Sequence, residues 1–235
     1  MGFRIGQAIG GAGIMRLLDG LSENIHPSLK PLHPVIADSE SSASFSQLGS
    51  LLEQFQCATR EAKKLVLGRS AHELTRRLEP ESWSTTECLD HLARTTGSFL
   101  PAISRAVAAA PKLTTKRPLR TGAIALLLIR NLEPPYRLRY KVIPQLVPRN
   151  TDFDAAWRAF EESQSRLSET LCSATGLAID KVKVPCPVCT HITYNAYGAF
   201  RMLAAHQRRH LWQVQQILAA LDAIDRRKRR LETAV

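Results

Sequence analysis

The stretch Tyr197–Ile224 does most to limit what this chain can fold into. Ala199, Leu203, Val214, Ile217, Leu221 and Ile224 recur at three-and-four spacing, and His206 and His210 complete the same stripe. That period belongs to a helix with one core-facing side and fits no strand. Residues four apart on a helix stand above one another, so both histidines point the same way, inward. Gln207, Arg208, Arg209, Gln213, Gln215 and Gln216 are expected on the flanks or outside. Two imidazoles on an inward face need polar partners, because burying an unpaired polar group is costly. A divalent metal would serve both at once. Carbonyls or neighbouring side chains of an ordinary core would also do, and an isolated HxxxH favours that plainer reading.

A second stretch, Trp83-Ser84-Thr85-Thr86-Glu87-Cys88-Leu89-Asp90-His91-Leu92, shifts the balance. Ser84 and Glu87 have capping-box spacing, which predicts a helix starting there. His91 falls about two turns in, beside the apolar side marked by Cys88, Leu92, Thr95 and Phe99. One histidine on one helix and an i,i+4 pair on another is how a bundle core builds a three-ligand metal site. W-S-x-x-E-x-x-x-H-L here and A-A-H-x-x-R-H-L-W-Q-x-x-Q-I later together resemble the DinB-like family of metalloproteins. The resemblance runs from about Phe45 to Ile224.

It implies an all-α fold, a four-helix bundle of DinB-like type, with His91, His206 and His210 as metal ligands. It also implies metal-dependent chemistry on small molecules. Some members transfer low-molecular-weight thiols to electrophiles, others isomerise or hydrolyse, and many have no assigned reaction. Gln213 resembles a family position after the second histidine, where a hydrogen bond supporting that ligand is expected.

Three neutral imidazoles leave coordination positions free on a divalent ion. Such a centre can hold a thiol as its reactive thiolate, as a transferase needs, or lower the pKa of water for hydrolysis. Zinc, nickel, iron and manganese are not separable on these residues, and imidazole suits copper as well. A non-catalytic metal-binding or stress-response protein is the competing reading. The expected partner is a small molecule, a low-molecular-weight thiol among the candidates, with a homodimer left open.

The formal net charge of +11 is high, and Arg226-Arg227-Lys228-Arg229-Arg230 concentrates part of it after the last stripe. Such a block could touch nucleic acid. No aromatic platform or nucleic-acid motif accompanies it, so a solvated helix end is preferred, where cations favour the C-terminal dipole. No run approaches the ~20 apolar residues of a membrane span, and no membrane partner is expected. The five cysteines, Cys57, Cys88, Cys172, Cys186 and Cys189, are odd in number and scattered. They make no extracellular disulfide framework and suggest a reducing cytoplasm. Cys186-Pro187-Val188-Cys189-Thr190-His191 has a metal or dithiol spacing, but supplies only three local ligands and lacks a thioredoxin-like context. Structural loop cysteines are the preferred reading, although the loop is expected to enter the last helix just above His206.

In order, residues 1–44 form an N-terminal extension and linker, with a short helix around Ala8–Leu21. Residues 45–225 form the bundle, and 226–235 a basic tail. Within the bundle, one helix carries Leu48, Leu52, Phe55, Thr59, Ala62 and Val66 and stops at Gly68. A capped turn at Ser70–Glu73 precedes the helix from Ser84 to Ala109. Pro111–Asn150 is the long irregular crossover between bundle helices two and three, with one short apolar helix near Gly122–Arg130. A connection this long is usually functional. A third helix, carrying Phe153, Trp157, Phe160, Gln164, Leu167 and Leu171, ends at Gly176. If the second and fourth helices start side by side, the pocket mouth is framed by Trp83, the Cys186–Tyr194 loop and part of the crossover. His26, His33 and His72 read as solvated, Glu87 as a cap, and Asp90 as pointing away from the site.

Overall fold

Helix boundaries fall where capping residues put them. The computed structural model describes residues 43–115, 117–134, 136, 142–187 and 189–233. The anticipated Ala8–Leu21 helix, His26, His33 and the Cys189 side chain lie outside what is described. Helix α1 (Ala43–Val66) ends at Gly68, whose φ of 75° is the left-handed conformation that glycine adopts without strain. Ser70 and Glu73 close a capping box on the one-turn α2 (Ala71–Thr75). Ser84 and Glu87 do the same for α3 (Thr85–Ala108), with the Arg77 guanidinium forked onto Glu87. The crossover contains α4 (Ala123–Leu132) and a 3₁₀ turn at Pro144–Leu146. Asp152 caps α5 (Phe153–Ser173), and Asn195 caps α6 (Ala196–Glu232).

The long helices α1, α3, α5 and α6 form the bundle. Gln54 and Glu61 accept hydrogen bonds from Arg208 and Gln215, so α1 and α6 run in the same direction. Phe160 packs in one cluster with Leu89 and Leu92, while Thr170 meets Ser104, so α3 and α5 are also parallel. The pairs oppose each other. Trp83, just before α3, lies by His210, whereas Phe99 lies by Tyr194, just before α6.

This order explains the long crossover. A 24-residue helix is about 36 Å long. Chain leaving α3 must travel back that far before α5 can start parallel to it. The return path lies over the seam between α3 and α6: α4 packs on α6, and Leu146 reaches His91 on α3. Beneath, one layer draws on all four helices through Ala58, Ala62, Leu92, Phe160 and Leu211. This layer and the larger apolar cluster around Phe55, Phe99, Ile103, Phe200 and Leu203 together supply the main folding energy.

Three details differ from the sequence reading. The Cys186–Tyr194 loop is a hairpin of β1 (Lys183–Cys186) and β2 (Cys189–Asn195), pairing Val184 with Tyr194 and Pro185 with Thr193. Val184, Cys186 and Tyr194 turn inward, an alternation that the prolines in the run hide. Gln207 is buried, not flanking, and its amide donates to Gln164 Oε1 at 3.2 Å. Ile224 is exposed, because the stripe outruns the partner helices. The basic block Arg226–Arg230 is the exposed end of α6, which continues to Glu232, in keeping with the solvated helix end expected there.

Gly198 marks where α4 meets α6 most closely. A Cβ built there would lie 2.7 Å from the Ala125 Cβ and 2.8 Å from Asn195 Oδ1, the capping atom of α6. Gly198→Val is therefore expected to destabilise the protein by ~1–3 kcal/mol through overpacking. Denaturant unfolding checks this, and unchanged stability would refute the tight contact.

Candidate metal centre

The capping box fixes where α3 begins and so sets His91 two turns in, facing α6. The i,i+4 spacing of His206 and His210 stacks their rings toward it, with centroids 5.1 and 4.6 Å from that of His91. The ligand atoms of the three lie within 4.8 Å of one another, and the Nε2 atoms of His91 and His206 are 3.3 Å apart. Tetrahedral ligands ~2.1 Å from a common ion are about 3.4 Å apart. The widest pair therefore exceeds the ~4 Å that shared ligation implies, and would close by about 1 Å around an ion.

Two of the rings are oriented from behind. His91 Nδ1 lies 2.8 Å from the Leu146 carbonyl, which can only accept. The proton therefore resides on Nδ1, and the Nε2 lone pair faces the other histidines. His210 Nδ1 is 3.0 Å from Gln213 Oε1, which turns Nε2 inward in the same way. Gln213 thus supplies the supporting bond its position suggested, and Leu146 supplies one that no short motif announces. Such bonds fix the tautomer and ring angle that a ligand needs. Trp83 packs over His91 and His210, with ring centroids at 4.8 and 6.0 Å.

His91 and His210 are buried, and His206 is partly exposed. Burial first, then repulsion from neighbouring histidines and Arg209, holds His206 and His210 well below the usual imidazole range. Burial also lowers His91, against the opposing influence of the Leu146 carbonyl and Asp90. Neutral imidazoles are the ligating form, so the donor set suits a divalent ion.

The same shifts give metal-free protein a pH dependence. The unfolded chain protonates these rings near pH 6.5, the folded chain only lower, so the unfolded state binds more protons between those values. Stability is complete above about pH 6.5 and falls as the pH drops through the folded values. A thermal melt of chelated protein should show a lower Tm near pH 5.5 than at 7.5. The depressed carboxylates, Glu87 and Asp180 among them, act below about pH 4.5. A Tm that is flat or rises on acidification would contradict a neutral trio.

Asp90 does point away from the site, and its role is larger than its neighbours in sequence suggest. It is buried and accepts from the amides of Arg149 and Asn150 at 2.7 and 3.4 Å and from Asn150 Nδ2 at 2.7 Å. Arg94 donates to the Gln145 carbonyl at 3.1 Å. These bonds tie the returning crossover to α3 and put the Leu146 carbonyl behind His91. On α6, Arg208 forks onto Glu133, and Arg209 lies 5.0 Å over the Tyr136 ring, which packs against Trp212.

The Cys186–Tyr194 segment does not frame this centre. Because α3 and α6 are antiparallel, the start of α6 lies at the far end of the bundle from the start of α3. Cys186 is buried there among Phe99, Ile103 and Leu119. His191 is exposed on the hairpin, and His72 is exposed on α2. Among the described residues, the group of three histidines includes no cysteine or carboxylate. Trp83 and the crossover do border it, as anticipated. Two surface grooves, of about 310 and 460 Å³, run beside α5 and include none of the three histidines.

Comparison with curated proteins and with solved structures gave no match. The family description does match: the DinB superfamily profile covers residues 54–214, which takes in His91, His206 and His210 together with the crossover. With a bundle of the expected type beneath that match, the chain belongs to the DinB superfamily.

Proposed function

We propose that His91, His206 and His210 bind one divalent metal ion through Nε2, with remaining coordination positions open to a small molecule. The supporting observation is the donor set: neutral rings, two of them oriented by Leu146 and Gln213, with no described thiol or carboxylate in the group. A divalent ion there would lower the pKa of a thiol or water that reaches it. The chain's own contribution is orientation and shielding. The Leu146 carbonyl holds the His91 proton on Nδ1, Gln213 does so for His210, and Trp83 keeps water from one side.

The reading that follows is a metal-dependent enzyme acting on small molecules, by transfer of a low-molecular-weight thiol to an electrophile or by hydrolysis. Metal-loaded and chelated protein should differ in a screen of thiol-transfer and ester substrates, with turnover only in the loaded form. The burial of His91 and His210, at 3% and 8% exposure, favours a second reading, a non-catalytic metal-binding protein. Absence of turnover across both substrate classes would select it.

A further inference from the structure

We infer that α4 is a membrane-surface docking element for anionic lipid headgroups. Ala125 is fully buried against the bundle, and Leu128, Ile129 and Leu132 pack with it. The opposite side should then be polar, as on any helix with one solvated face. Instead Ile124, Leu126 and Leu127 stand out at 47%, 47% and 62% exposure. Gln47 ties the first turn of α1 to the chain entering α4, through bonds of 3.2 and 2.7 Å with the Leu119 carbonyl and amide. Single exposed apolar residues are ordinary, but this concentration on one ten-residue helix is not.

Charge and size select the occupant. No acidic residue occurs from Arg117 to Leu132, while Arg120 and Arg130 are exposed near the two ends of α4. The whole chain carries +11. An apolar face between cations is the pattern of a helix lying in an anionic interface. Three apolar side chains between Arg120 and Arg130 suffice for shallow insertion, where the cations meet the headgroups. The helix is also a firm platform. Ala125 is seated on Gly198, and Asn195 Nδ2 donates to the Arg120 carbonyl at 2.7 Å.

Co-sedimentation of the full chain with phosphatidylcholine vesicles, with and without phosphatidylglycerol, tests the inference. Binding is expected only to the anionic vesicles and should weaken with salt. Leu126→Ser with Leu127→Ser should reduce it roughly tenfold or more, from lost apolar insertion. Arg120→Glu with Arg130→Glu should do the same, while a chain truncated after Asp225 keeps binding. Circular dichroism and thermal unfolding that match the parent establish that each variant is folded. The inference is overturned if the parent binds no vesicles. It is also overturned if the leucine variant binds as the parent does, or if truncation alone abolishes binding. Loss of a dimer in the leucine variant, without any vesicle binding by the parent, would make α4 an interface between copies instead. Metal binding does not enter this test, so it stands or falls separately from the proposed function.

Discussion

His210→Ala is expected to abolish stoichiometric metal binding while leaving the bundle helical. Zinc bound by several protein ligands is held by ~10–16 kcal/mol in all, so losing one ligand of three costs roughly 3 kcal/mol, or a hundredfold or more in affinity. The fold should survive because its energy lies in layers such as Ala58, Leu92, Phe160 and Leu211. His210 contributes a buried polar ring with one side-chain hydrogen bond, to Gln213. Elemental analysis and far-UV circular dichroism on the same sample decide the matter. Full metal content would remove His210 from the ligand set, whereas a collapsed spectrum would make the centre structural.

Asp90→Ala is expected to act twice. Removing the carboxylate leaves the Arg149 and Asn150 amides without their acceptor, at a cost of about 2–4 kcal/mol in stability. It also frees the segment that carries Leu146, whose carbonyl fixes the His91 tautomer. Loss of such a supporting bond weakens metal binding by roughly 10–100-fold. Denaturant unfolding reads the first effect and a chelator competition titration reads the second. Destabilised protein with unchanged metal affinity would confine Asp90 to a structural role and break the link between crossover and ligand.

The helices and the convergence of the three histidines were legible because each rests on short-range rules. Ser84 with Glu87 announces a helix start, Gly68 and Gly176 announce stops, and His206 with His210 shares a face at any four-residue spacing. Helix direction was harder to read. Nothing local says that α3 and α6 run oppositely, and assuming a common starting end placed the Cys186–Tyr194 hairpin beside the histidines. The length of Pro111–Asn150 contained the missing information, since a parallel α3 and α5 require a return path as long as the helix. Gln207 was misplaced for a related reason. An outward position on one stripe becomes an inward one when a second neighbour, here Gln164 of α5, packs on the flank. Leu146 and Asp90 act across about 55 residues or more of sequence and left no motif.

His91, His206 and His210 should together hold one metal ion. Elemental analysis of the full chain, purified without a metal-affinity tag, tests it most directly, with the triple alanine variant prepared alongside. About one divalent ion per parent chain is predicted, and none in the triple variant. A parent chain free of metal, or a triple variant that keeps its ion, would contradict the account.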